Sequence, residues 1–152
     1  YAVSVYNKEK NNGLLRVSTK GLVDYWQEMP AVFAGSRINL NFTIPNIKTG
    51  LPLRVFDVLG AGGFLLTNFQ PELPQYFENG KDLVWFTSER ELIEKAGYYL
   101  AHEKERERIA RNGQEKVRRF HTYMQRITQM LDILERDGKC HIDEKEKEGE
   151  LL

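Results

Sequence analysis

The chain lacks most of the features that announce a function at once. It has a single cysteine, Cys140, so no disulfide closes within it, and this fits a reducing compartment. Its 22 Lys and Arg balance its 22 Asp and Glu, and a formal net charge of zero supplies no diffuse field for nucleic acid or an anionic membrane. Three histidines, His102, His121 and His141, have no metal-ligand spacing with Cys140, so neither a metal nor a cofactor is expected. No apolar run approaches the roughly 20 residues of a membrane span, and no signal-peptide pattern is visible, which predicts a cytoplasmic protein. At 152 residues the chain suits one domain that buries about two thirds of its unfolded surface.

Glycine, by contrast, is concentrated. Gly60, Gly62 and Gly63 follow the segment Leu53-Arg54-Val55-Phe56-Asp57 and precede the apolar Phe64-Leu65-Leu66-Thr67. The first segment has helical spacing, with Leu53, Phe56 and Gly60 on one face and Arg54, Asp57 and Ala61 on another. The second is a buried strand by its length and by the loop signal Asn68-Phe69-Gln70-Pro71 that follows. Glycines remove Cβ atoms where a chain turns sharply or where a ligand approaches its backbone, so this turn is either a packing corner or part of a ligand cradle.

Strands are predicted over residues 2–6, 22–25, 37–43, 64–67 and 83–86. Short helices over 27–34, with Pro30 in the first turn, and over 72–77 lie between them. This alternation argues for parallel βαβ units. The final third is helical. Ser88-Glu89-Arg90-Glu91 is a capping box opening a helix whose apolar face includes Leu92, Ile93, Ala96, Tyr99 and Leu100. Residues 103–111 mix charges of both signs, as a solvated helix face does. A long helix is expected from Asn112-Gly113 to about Arg136, with Val117, Phe120, Met124, Ile127, Leu131 and Leu134 as a core or interdomain stripe. Residues 138–152 form an acidic tail without a core pattern, which leaves residues 1–137 as the domain.

In an open parallel sheet, ligands bind outside the carboxyl ends of the strands. The loops after Phe42, Thr67 and Phe86 and the 45–50 loop reach that side. There the helix N-terminus behind Gly50 and Leu51 is suited to phosphate, and Asp57 supplies a carboxylate. Arg54 and Asp57 are also spaced to pair with each other, a contact worth about 0.2–0.5 kcal/mol. Asn39 and Asn41 suit loop bridging as well as ligand contact, and His121 suits packing better than catalysis.

Taken in order, Gly35-Ser36-Arg37-Ile38-Asn39-Leu40-Asn41-Phe42-Thr43, the Arg54-to-Gly63 segment, Phe77-Glu78-Asn79-Gly80-Lys81-Asp82, and Phe120-His121-Thr122-Tyr123 resemble the nucleotide-sugar-binding half of a GT-B glycosyltransferase, closest to the CgeB-like bacterial group. The resemblance covers about residues 20–130. It implies an α/β Rossmann-like parallel sheet, the C-terminal half of a GT-B fold, whose partner is a nucleoside diphosphate sugar. Asp57 matches the acid that binds the ribose hydroxyls, where the CgeB-like pattern usually has Glu, and Arg54 matches the arginine that faces the diphosphate. Asn41, Gly50, Leu51, Gly62, Gly63 and Thr67 complete the expected substrate-binding set, with no catalytic base identified. Many retaining relatives carry a second acid eight positions before Asp57, where this chain has Thr49. Such a half lacks its acceptor-binding domain and its first strand and helix, so the chain reads as a fragment that is inactive alone and self-associates, a homodimer being one form of this. A non-catalytic binding module on the same scaffold, and an unrelated doubly wound domain, are the alternatives.

Overall fold

The computed structural model of the protein describes residues 23–44 and 49–137. Their elements run α1 (Met29–Gly35), β1 (Asn39–Asn41), α2 (Leu53–Gly60), β2 (Leu65–Asn68), α3 (Leu73–Tyr76), β3 (Val84–Phe86), α4 (Glu89–Ala101), α5 (Glu103–Phe120) and α6 (Tyr123–Arg136). The strands form one parallel sheet in the order β1-β2-β3, with Asn39 beside Leu65 and Leu66 beside Val84. This is an α/β Rossmann-like arrangement with a helical C-terminal third.

Successive strand residues point to opposite faces, and the sheet is covered on both. Leu65 joins Val55, Val58 and Leu59 of α2, Leu73, Phe77, Leu83 and Val117 in one core. Leu66 joins Phe64, Val84, Phe86, Tyr99, Ile109 and Ala110 in the other. Helix α5 therefore serves both faces, giving Val117 to the first core and Ile109 and Ala110 to the second.

Several expectations are corrected. The part of the 22–25 segment that is described is not a strand: Asp24 accepts from the Trp26 and Gln27 amides through its carboxylate and bends the chain into a turn. The 2–6 strand and the 138–152 tail lie outside the described residues. Helix α2 buries Val55, Val58 and Leu59, while Leu53 is exposed, because the sheet and α5 both press on that side. At α4 the Ser88 hydroxyl accepts from the Glu91 amide, but the Glu91 carboxylate turns to the Thr87 amide and hydroxyl. Together with Lys95, its strongest partner, Thr87 holds the Glu91 carboxyl down at about 2.

The helix expected to start after Asn112-Gly113 instead runs straight through them. A Cβ on Gly113 would fall within 2.8 Å of Leu59 Cδ2 and closer still to the Asp82 carbonyl oxygen, so glycine here permits close helix approach. The break comes at His121-Thr122, where a capping box between Thr122 and Gln125 opens α6. The apolar stripe beyond that break is no core: α6 buries none of its residues. On α5, the charged 103–111 stretch faces water except at Arg106, Ile109 and Ala110.

Candidate functional site

Three of the expected residues meet at the carboxyl edge of the sheet. The buried Asn41 ends β1 and donates from Nδ2 to Thr67 Oγ1 on β2 at 3.0 Å, while its Oδ1 accepts from Arg54 Nη1 at 3.3 Å. Arg54 stands in the first turn of α2, which follows directly on Gly50, Leu51 and Pro52, so the positive end of the helix and the guanidinium share one place. Gly50 takes φ +88°, a value that glycine adopts without strain and other residues rarely adopt.

Beside this cluster, Asn68 clamps the exit of β1. Its Oδ1 accepts from the Thr43 amide at 2.7 Å and its Nδ2 donates to the Thr43 carbonyl at 3.1 Å. Two buried groups on these same exit loops, Thr43 Oγ1 and Gln70 Oε1, have no hydrogen-bond partner among the described residues, and Glu72 Oε2 shares that state. Buried polar atoms are nearly always satisfied. Ordered water or a polar ligand completes such atoms. Sequence reasoning placed Thr43 at the end of a strand and Gln70 in a loop signal but gave neither a role in the site.

Gly62 and Gly63 lie elsewhere. Helix α2 starts at the carboxyl edge and runs back, so the glycine turn returns the chain at the opposite end of β2. There Gly62 adopts φ +85° and a Cβ on Gly63 would meet Asn39 Nδ2 at 2.6 Å and the Phe33 carbonyl at 2.7 Å. Their geometry is that of a packed corner.

Asp57 stands one turn below Arg54 and does not pair with it. Its Oδ2 accepts from the Tyr25 hydroxyl at 2.8 Å, and that hydrogen bond, ahead of burial and of charge repulsion, pushes the tyrosine up to about 12. Two cavities of about 270 and 350 Å³ meet at Asp57 and Tyr123. The first lies against Tyr25, Trp26, Met29 and Phe33, the second against Phe56, His121 and Arg126. His121 is packed among the rings of Phe56, Tyr76 and Phe77, with centroids 5.5–5.6 Å away, and its Nδ1 lies 2.8 Å from Arg126 Nη2. Because arginine only donates, Nδ1 is the acceptor and the ring is neutral. Burial first, then Arg126 and Lys116, holds the imidazole below its ordinary value. Among the described residues, no helix is long and apolar enough to cross a membrane, and no three His, Cys, Asp or Glu side chains are grouped to hold a metal ion.

A parallel α/β layer with helices on both faces and its polar groups at the carboxyl ends of its strands is a Rossmann-like fold. Within that class, the model of the glycosyl transferase-like family matches residues 4–132, and the chain belongs to this family. No curated protein matches the chain, nor does any solved structure.

Proposed function

We propose that the chain is the nucleotide-sugar-binding portion of a GT-B glycosyltransferase of the CgeB-like bacterial group, acting in the cytoplasm and transferring a sugar from a nucleoside diphosphate to an acceptor. The observation that carries the reading is the Arg54–Asn41–Thr67 cluster at the carboxyl edge, with the N-terminus of α2 behind it and the unsatisfied Thr43 and Gln70 oxygens beside it. In this reading Arg54 and the first amides of α2 after Gly50 and Leu51 take the diphosphate. Asp57 takes the ribose hydroxyls. The donor domain spans residues 1–137, the acidic segment 138–152 follows it, and an acceptor-binding domain precedes it in the full-length protein. The exposed α6 stripe is then the surface on which the isolated chain self-associates.

Calorimetric titration with UDP, GDP and FMN tests the assignment. Saturable binding of a nucleoside diphosphate that Arg54→Ala weakens at least tenfold is the expected result. Binding of FMN alone would reassign the domain, and binding of none of the three would favour a non-catalytic module.

A further inference from the structure

Asn41 and Thr67 lie opposite each other across the β1–β2 pairing, and both are almost wholly closed to water, at 2% and 1% exposure. Neither side chain offers a surface to a substrate. Arg54, by contrast, is exposed. The three are nevertheless one chain of hydrogen bonds whose direction chemistry fixes. Arginine has no acceptor, so the atom of the Asn41 amide that faces Arg54 Nη1 is Oδ1. Nδ2 is thereby turned to Thr67 Oγ1, which accepts at 3.0 Å and directs its own proton to the Asn68 carbonyl at 3.4 Å.

Helix α2 has no side-chain cap, and no acid stands in its first turn. Arg54 therefore adds positive charge to the end of the helix that is already positive, an arrangement that costs stability. Repulsion from that end and the rotamer freedom of a long side chain both favour a guanidinium that swings away into water. The buried amide opposes both. An Asn that served packing alone could give way to an apolar residue of its shape, together with its partner, at little cost. An Asn whose oxygen meets an uncompensated cation fixes where that cation stands. We propose that Asn41 is a positioning residue for a bound diphosphate: oriented by Thr67, it holds the Arg54 guanidinium at the start of α2 before the ligand arrives, and neither Asn41 nor Thr67 touches the ligand. Among the described residues this bond takes a single guanidinium donor, which leaves the rest of the fork for phosphate oxygens. Ordering the side chain in advance removes that cost from the binding step. The inference rests on the donor-binding reading, and it gives Asn41 and Thr67 a role that the reading leaves open.

Calorimetric titration of the full chain with UDP, GDP and pyrophosphate tests it through a double-mutant cycle. Asn41→Ala is expected to weaken pyrophosphate and the bound nucleoside diphosphate about fivefold, the scale of ordering one long side chain at binding. Once Arg54→Ala is in place, Asn41→Ala costs nothing further. A general loosening of the sheet edge would instead weaken binding with or without Arg54. Thr67→Val, which keeps the shape and removes the acceptor, gives a smaller loss in the same direction, and Thr67→Ser restores it. Should Asn41→Ala fail to unfold cooperatively, the two Thr67 variants decide the matter. The proposal is overturned if Asn41→Ala and Thr67→Val bind these ligands as the parent does. It is also overturned if the Asn41→Ala loss persists undiminished beside Arg54→Ala, since Asn41 then meets the ligand itself or shapes the site at large. Failure of the donor reading looks different. Pyrophosphate binding that depends on Asn41, with no binding of UDP or GDP, breaks that reading and leaves the link from Asn41 to Arg54 standing. A chain that binds none of the three overturns both.

Discussion

Helices α5 and α6 follow one another in the chain and show opposite relations between sequence and burial. Helix α5 is dense in charge, yet Ile109, Ala110, Gly113 and Val117 are buried along it, and so is Arg106, which donates to the Tyr99 carbonyl at 2.7 Å and pairs with Glu103 at 3.2 Å. Helix α6 carries the cleaner apolar stripe and buries nothing. A stripe states that a helix has a face to hide; only a partner hides it. Helix α5 finds Leu59 and Asp82 within reach because Gly113 lets it come close, and α6, redirected at His121-Thr122, leaves that surface.

The sharpest test of this contrast is paired truncation. Ile109→Ala on α5 is expected to cost about 2–5 kcal/mol of unfolding free energy, whereas Ile127→Ala on α6 stays within about 0.5 kcal/mol. Urea denaturation of the dilute, monomeric chain measures both, and a comparable loss at Ile127 there would mean that another part of the same chain covers α6. Glycine gives a second pair. Gly113→Ala should destabilise by about 1–3 kcal/mol through the clash with Asp82 and Leu59. Gly97→Ala, with no atom within 4 Å of its added Cβ, should stabilise α4 by about 0.4–1 kcal/mol.

At the groove beside the α5–α6 junction, Asp57→Ala should weaken nucleoside diphosphate binding by about 1–3 kcal/mol with little change in the unfolding midpoint. Unchanged affinity by calorimetry removes Asp57 from the donor site. The smallest effect sits on the junction itself. His121 is held below its ordinary value of 6.5 in the folded chain, so the unfolded chain takes up that proton first as pH falls. The contribution is present above about pH 6.5 and is lost as pH drops through the lower folded value. His121→Gln should flatten the fall in denaturation midpoint across that window, and an unchanged slope would assign the effect to other groups.

Much of this architecture was legible in the residues. The segments around Asn39 to Asn41, Leu65 to Thr67 and Val84 to Phe86 read as strands because they are short, apolar or β-prone, and bounded by turn residues, and all three pair in parallel. The 22–25 segment misled because its apolar residues flank an aspartate whose side chain bonds its own backbone, a local competition that hydropathy does not register. Gly113 read as a helix breaker for a similar reason, since its use lies in the neighbour it admits. Of the polar cluster, Arg54, Asn41 and Thr67 were expected from the family resemblance, and the structure brings the three side chains together at the carboxyl edge. The Tyr25–Asp57 bond spans 32 residues, and no local pattern foretells it.

The strand order carries one more consequence. Because β1, β2 and β3 lie side by side in the order in which they are made, each strand docks on the edge its predecessor has just formed, and none must be threaded between two already in place. A ribosome releasing this stretch delivers β1, then the helix that covers it, then β2, so the layer grows outward from one side as synthesis proceeds. Helix α5, which closes both faces, emerges only after every described strand has been laid down, and the two cores therefore seal together and late.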